Sequence, residues 1–512
     1  MVFRGRPSKA CSRCRQSRLR CDLQTPSCTP CIRAGTQCAG YRDVSTLRIA
    51  DQTKAVRAKA VAKRRCPPPD GFLECKPFSS HIVHPIPLDL QDLARDFFFA
   101  NYIYELRVTW AFLCPFSDPL LAPSYLALAI EAASLALLGY QHHSIAARSL
   151  SRQKYVAALR QTNKALRCPL IVQKETALVA TLVLDLYEKI TNSDIKTEDI
   201  SIAHVQGAMA LVRLRGLSAF NNVTGIQILG RILLNSTVTC LQHRLPIPPE
   251  IEQMWVLIGM SADPQGLKYR LSGLTLEVAN FSAATKNKAD GLNDDEKCIR
   301  RCIELETAFS ELGHDVSADW SYTRHTISLP TSTPTPNDRY LQDDYHVYPS
   351  RRLSQIWNIQ RLSRILLWED ILSRRNGALG SETHVVRDII VEICASAPHV
   401  LDCHFAARCK LPESEIMKAK AAHQHTNCHV LDAYVTMYPL YVAAWSTYCA
   451  GSTREWIVKQ FEHMSEHFGI REAALVRDVI ESWKKDGESG RSVKRESPWE
   501  VYRLLGSYTF AT

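Results

Sequence analysis

Over most of this 512-residue chain, apolar side chains recur three and four positions apart, the spacing that lines up one face of an α-helix. Leu90, Leu93, Ala94, Phe97 and Phe98 form one such stripe, and similar stripes run through 125–138 and 144–166. From Thr176 to Tyr187 the chain is apolar on nearly every face, which predicts a buried central helix. Glu131 and Asp185 interrupt the two most apolar stretches, so neither reaches the roughly eighteen uncharged residues of a membrane span. Two regions break the helical pattern. Pro67-Pro68-Pro69-Asp70-Gly71 stops any helix and marks a domain boundary. Leu329-Pro330 through Pro334, Pro336 and Asp338 cannot be helical, and around them Asp315, Asp319, Asp343 and Asp344 lie among Trp320, Tyr322, Tyr340, Tyr345 and Tyr348. Residues 313–350 therefore read as a mobile surface loop. The expected plan is a basic tail over 1–10, a small cysteine-rich domain over 11–42, a basic helical and Pro-rich linker over 43–85, a large all-α domain over 86–485 and a tail over 486–512.

The cysteine-rich segment has a period of its own. Cys11, Cys14, Cys21, Cys28, Cys31 and Cys38 spell C-x2-C-x6-C twice over. Two tetrahedral Zn²⁺ ions need eight Zn–S contacts, and six thiolates supply them only if two sulfurs bridge the metals. Cys11 and Cys28 head the two repeats and are the symmetric choice for bridges. The segment offers little apolar material beyond Leu19, Leu23 and Ile32, so metal binding must supply most of its folding free energy. After Cys14 the chain predicts a turn or two of helix with Arg15, Arg18 and Arg20 facing outward and Arg13 on the same face, whereas the second repeat carries only Arg33.

The strings C-S-R-C-R-Q-S-R-L-R-C-D and T-P-S-C-T-P-C-I-R-A-G-T-Q-C closely resemble the Zn2Cys6 binuclear cluster of fungal transcription factors. That resemblance implies two Zn²⁺ per chain, a short helix presented to the major groove of a CGG-like triplet, and guanine contact by the basic residue four positions after the second cysteine, here Arg18. The family more often has lysine there; arginine takes guanine O6 and N7 together, so a G-rich half-site remains the physical expectation. Arg13, Arg15, Arg20, Arg33 and Lys9 are the candidate supporting DNA contacts. Pro26 matches the proline that turns the loop between repeats, and Gly35 turns the second repeat. Further along, Phe97–Tyr102, Ala157–Leu166, Asp185–Glu188, His204–Ala208 with Leu214–Gly216, Met437–Ala444, Trp483 and Trp499 occur in the order seen in the fungal-specific regulatory domain, which implies an α-helical regulatory region. The 313–350 loop could on that reading touch the transcription machinery, although a plain surface insertion is the favoured reading.

Charge changes the picture in the same direction. Residues 1–65 hold sixteen Lys and Arg against three Asp, a balance of +13, while the whole chain carries 62 against 52. The basic arm alone should therefore attract phosphates with a steep salt dependence. Lys59, Lys63, Arg64 and Arg65 form a run suited to nuclear import. Leu47, Val56 and Val61 do not sustain three heptads, so no zipper follows the cluster and any homodimer must form through the helical domain. The basic N-terminus lacks an apolar h-region, which argues against export and for reduced cysteines inside the cell, in the nucleus on this reading.

An enzyme is the rival class. The chain has no G-x-G-x-x-G, P-loop or G-x-S-x-G. His463, Glu466 and His467 fit H-x-x-E-H, a spacing that would serve a zinc metalloenzyme, but the pattern is short and no third ligand follows. Cys403-His404 with His423, His425, Cys428 and His429 match no trusted finger spacing, and Cys298 with Cys302 would make a poor disulfide along one helix. A sequence-specific DNA-binding regulator, and not an enzyme, is the expected function; a repressor or scaffold without activating function is its nearest alternative.

Overall fold

The computed structural model describes residues 9–41, 89–104, 110–191, 201–261, 266–286, 294–314, 316–326, 340–375, 380–401, 427–488 and 495–505. Contacts divide the chain into two units, 1–84 and 85–512. The first contains two short helices, α1 (Ser12–Gln16) and α2 (Thr29–Arg33). The second is built almost wholly of helices, and among the described residues no helix is long and apolar enough to cross a membrane.

In the second unit α3 (Leu90–Phe98) starts where the Asp89 carboxylate accepts the Gln91 N–H at 3.0 Å, a side-chain cap for an otherwise orphaned donor. It runs into a π-turn that buries Phe99, Tyr102 and Ile103. Helices α4 (Ser124–Gln141) and α5 (Ile145–Ala165) are joined by only three residues, with Ser144 capping α5 through the Ala147 N–H. They pack closely enough that a Cβ on Gly139 would lie 2.9 Å from the backbone nitrogen of Arg148. Helix α6 (Glu175–Thr191) is the buried central helix, with every residue from Ala177 to Tyr187 buried. Its one charge there, Asp185, is held by Lys189 Nζ at 2.8 Å and Asn235 Nδ2 at 2.7 Å. Asn235 belongs to α8 (Val223–His243), which follows α7 (Ser201–Arg215). Tyr155 of α5 stacks on Tyr187 at 4.1 Å, donates to Glu188 and lies 3.2 Å from His204 Nε2 of α7. Two of the short motifs scattered along the sequence, Asp185–Glu188 and His204–Ala208, thus meet beside Tyr155.

Helices α9 (Pro249–Ser261), α10 (Leu267–Lys286) and α11 (Asp295–Glu311) lead to a two-stranded antiparallel hairpin, β1 (Thr323–Thr326) and β2 (Asp344–Val347), with Thr323 opposite Val347 and Thr326 opposite Asp344. The long α12 (Arg351–Arg374) follows, then α13 (Gly380–Ala395), α14 (Asn427–Tyr434), α15 (Met437–Trp445), α16 (Gly451–His467), α17 (Arg471–Glu488) and α18 (Pro498–Leu505). The apolar interior falls into three main clusters: one around α3 to α9, one around α12 to α18, and one joining α10, α11, the hairpin and α12.

Two expectations change. The described parts of 313–350 are not a mobile loop, because the hairpin is bound to α12 through one buried cation. Arg361, 1% exposed, donates to Tyr348 Oη at 2.7 Å, Asn358 Oδ1 at 3.1 Å and Glu392 Oε2 at 3.1 Å. Its guanidinium also lies over the rings of Tyr322 and Trp357. The aromatic residues that look like an exposed acidic-aromatic segment in sequence are the hairpin's anchor; the Pro-rich 327–339 lies outside the described residues. Nor is 486–512 wholly a tail. Val501 and Leu505 of α18 are fully buried, the Leu505 carbonyl accepts from Tyr434 Oη at 2.9 Å, and Tyr502 meets Tyr438 edge-on. Eight residues are too few for a periodic pattern to stand out beside the charged run before them.

Inside the hairpin anchor, His346 is 2% exposed. Burial first, then the charges of Arg361 and Arg324, push its imidazole down from 6.5 to about 3. An unfolded chain takes up that proton near 6.5 and the native one only near 3, so stability is undiminished above pH 6.5 and falls as pH drops through that window. Substituting His346→Phe should flatten the fall, a difference read from urea unfolding midpoints at pH 7, 5.5 and 4; parallel pH profiles for the two proteins would contradict it.

Candidate metal centre and nucleic-acid interface

Each cysteine repeat folds in the same way. Cys11 and Cys28 stand in extended conformation at the N-caps of α1 and α2, and the Cys11 sulfur accepts the Cys14 N–H at 3.4 Å. Asp22 takes the Thr29 N–H, and hydrogen bonding from Thr29 holds its carboxyl below the usual range. Both helices end after five residues with one returning bond: Leu19 N to Cys14 O at 2.8 Å, and Thr36 N to Cys31 O at 3.1 Å. The reversal needs a left-handed residue, supplied by Arg18 (φ 51°) in the first repeat and Gly35 (φ 60°) in the second. A second left-handed pair follows, Leu23 (φ 57°) and Gly40 (φ 77°). The repeat is therefore one of backbone as well as of sulfur.

These turns gather the six sulfurs. Cys11, Cys14, Cys21 and Cys28 form one set with sulfurs mutually within 4.8 Å, and Cys11, Cys28, Cys31 and Cys38 form another. Cys11 and Cys28 belong to both. The Cys11–Cys28 and Cys11–Cys31 separations are 3.7 Å, Cys14–Cys28 is 3.8 Å and Cys28–Cys38 is 3.9 Å. Sulfurs at about 2.3 Å from a tetrahedral zinc lie about 3.8 Å apart, so the donor set fits that metal in size and chemistry.

The thiols are unequal. Burial foremost pushes Cys14 up to about 12 and raises Cys28 as well, whereas backbone hydrogen bonds at Cys28 and Gly40 bring Cys38 down to about 7 and a similar bond at Cys11 lowers Cys21. Ease of ionisation therefore differs between Cys21 and Cys38 on one side and Cys14 and Cys28 on the other. Tyr41, hydrogen-bonded to the Gln24 carbonyl and itself pushed up to about 12, chiefly by burial, closes the unit beside Cys38.

Around the sulfurs the basic side chains divide. Lys9, Arg18, Arg20 and Arg33 are exposed. Arg15 is half-buried, with one guanidinium nitrogen wholly covered. Arg13 does not face outward as expected; its Nη1 donates to the Pro30 carbonyl at 3.0 Å and lies 4.0 Å from the Cys31 sulfur, tying the repeats together. Arg18 lies beyond the end of α1, not within it. Sequence reasoning missed the Asp22 cap and the left-handed positions, although aligning the repeats places Gly35 and Gly40 opposite Arg18 and Leu23 and could have found them. Lys59, Lys63, Arg64 and Arg65 lie outside the described residues.

The other metal candidates do not assemble among the described residues. Among the described residues, groups of three or more metal donors are the two cysteine sets. His463 Nε2 lies 3.3 Å from the Leu401 carbonyl, and its ring stacks on His467 at 4.6 Å. Cys298 and Cys302 are buried in α11, with Cys302 donating to Asp370 at 3.5 Å and both thiols raised by burial. Cys403, His404, His423 and His425 lie outside the described residues, as do the side chains of Cys428 and His429.

Residues 9–48 match the family model of the fungal Zn(2)-Cys(6) binuclear cluster domain. No curated protein and no solved structure matches the chain. Residues 9–48 are thus similar to a zinc-cluster domain of the fungal type, with the six cysteines placed to bind metal.

The left-handed pair allows a test of backbone strain. A side chain at positive φ costs about 1–2 kcal/mol. Leu23→Gly should therefore lose zinc to a chelator no faster than the parent, while Gly40→Leu should lose it at least about fivefold faster. Zinc release followed with a colorimetric chelator decides it; equal rates for Gly40→Leu and the parent would count against the shared geometry.

Proposed function

We propose that this chain is a nuclear, sequence-specific DNA-binding regulator of transcription, with two Zn²⁺ held by six cysteines and Cys11 and Cys28 bridging them. The observation that carries this reading is the pair of four-sulfur sets sharing those two residues, inside an arm of charge +13 over residues 1–65. Arg18 is the proposed base reader, exposed and set at the turn that closes α1, taking O6 and N7 of a guanine in a CGG-like half-site. Arg20, Arg33 and Lys9 act on phosphates, which fix position without reading sequence. The helical unit is proposed as the regulatory region, and Lys59, Lys63, Arg64 and Arg65 as the import signal.

Site selection from random DNA, with the full chain loaded to two zinc ions, tests the reading. Arg18→Ala should cost about 1–3 kcal/mol on the best site and flatten preference for its guanines, while Arg20→Ala should weaken all sequences alike and lower the salt slope by about one unit. Unchanged preference in Arg18→Ala would move the reading residue elsewhere.

One cluster touching three base pairs buries too little surface for tight specific binding, so pairing of two chains through the helical unit is part of the proposal. Sedimentation of the full chain on one-site and two-site DNA should show two chains on the latter; a protein that stays monomeric on both contradicts it.

A further inference from the structure

Helices α8, α10 and α12 do not close on one another. Between them lies a cavity of about 930 Å³, at the upper end of small-molecule sites, in the kind of interior where packing leaves few voids larger than a water molecule. All three main apolar clusters contribute to its wall, through Leu241, Val238, Leu362, Leu271 and Ile356. Three hydroxyls on that wall are spent within their own helices: Thr237 donates to Leu233 O at 2.7 Å, and Thr275 and Ser363 donate to Leu271 O and Ile359 O at 2.8 Å. The lining is mostly apolar. At Gly230 of α8, an added Cβ would meet no atom within 4 Å.

The charge that remains available is of one sign. Glu369 accepts from Ser446 Oγ at 2.6 Å and Thr447 N at 2.8 Å. Asp370 pairs with Arg374 at 3.1 Å, and Arg374 also reaches Asp295. The two carboxylates of the wall are therefore engaged. By contrast, Arg352 Nε is buried without a hydrogen-bond partner, and its guanidinium lies over the ring of Trp320, itself part of the wall, at 5.8 Å. The Arg231 guanidinium lies elsewhere, over Trp110 at 4.3 Å and near Asp185, neither of which lines the cavity. Lys268 lines the same cavity, brought down to about 8 by burial and then by the Arg352 charge. Buried donors without acceptors are costly, and an anion would satisfy them.

We propose that this cavity binds an organic anion with a large apolar body, its carboxylate received by the unpartnered guanidinium nitrogen of Arg352 and its body lying along the α8 wall at Gly230. Full-length, zinc-loaded protein titrated calorimetrically with dodecanoate should bind one molecule per chain at least tenfold more tightly than it binds dodecylammonium. Gly230→Phe, or Ser363→Phe on the α12 wall should the first fail to fold, should lower dodecanoate affinity at least tenfold without changing the far-ultraviolet circular dichroism. Arg352→Met should erase the preference for the anion. Equal binding of dodecanoate and dodecylammonium, parent-like affinity in both Phe variants, or an unaltered preference in Arg352→Met would each overturn the proposal.

Discussion

At the centre of the N-terminal unit lie the sulfurs of Cys11, Cys14, Cys28 and Cys31, all without exposure, while Leu19, Leu23 and Ile32 are 46%, 42% and 63% exposed. Over the described residues 9–41, with these large apolar side chains turned to water, little hydrophobic burial is set against chain entropy. Whatever holds it must act through the sulfurs, and four buried thiols in van der Waals contact cannot do so alone. Metal bonds can, because binding of a metal to deprotonated sulfurs couples directly to folding. Everything else in the unit follows from bringing Cys11 and Cys28 to a common centre: cysteines as N-caps, five-residue helices between them, and left-handed turns that send the chain back for the third ligand of each repeat.

The helical unit solves the opposite problem. It has apolar surface in plenty, and what needs explaining is charge in its interior. Asp185 lies within eleven consecutive buried residues of α6, and Arg361 is as buried as the aromatic rings around it. Each is matched across elements, Asp185 by Asn235 of α8 and Arg361 by Tyr348 and Glu392. A buried ion is weak evidence for net stability, but it punishes misregistered packing, since a sliding helix would strand it. These side chains explain why α6 meets α8, and the hairpin meets α12, in one register.

Legibility varied with the length of the signal. Eleven or more residues of helical period were plain, and the central helix at Thr176–Tyr187 appears as read, with 177–187 buried. The sulfur arrangement was legible because six thiolates supply eight bonds to two tetrahedral metals only when two are shared, and the two sets do share Cys11 and Cys28. The hairpin was not legible: four-residue strands separated by a Pro-rich segment have no period to detect, and the residue that binds them, Arg361, sits far along the chain on α12. Arg13 was misplaced for a related reason. Its charge suggested solvent or phosphate, but a guanidinium next to a neighbouring carbonyl and a sulfur has better use as a tie between repeats.

The inequality of the two repeats bears on how the zinc cluster works. At both left-handed positions the second repeat has glycine and the first has a residue with a side chain, Arg18 and Leu23. Stability alone would favour glycine at all four, since a left-handed arginine or leucine carries a penalty that glycine avoids. The first repeat accepts that penalty, and the strained turn projects Arg18 from the place where α1 ends. Backbone strain that persists where the fold does not need it is a reason to look for function at that residue. The second repeat, with glycine in both turns and Arg33 as its sole cation, supplies the ligands that complete the sulfur cage at lower conformational cost. The two sulfur sets share Cys11 and Cys28, so the less strained second repeat and the strained turn that bears Arg18 meet at a common centre.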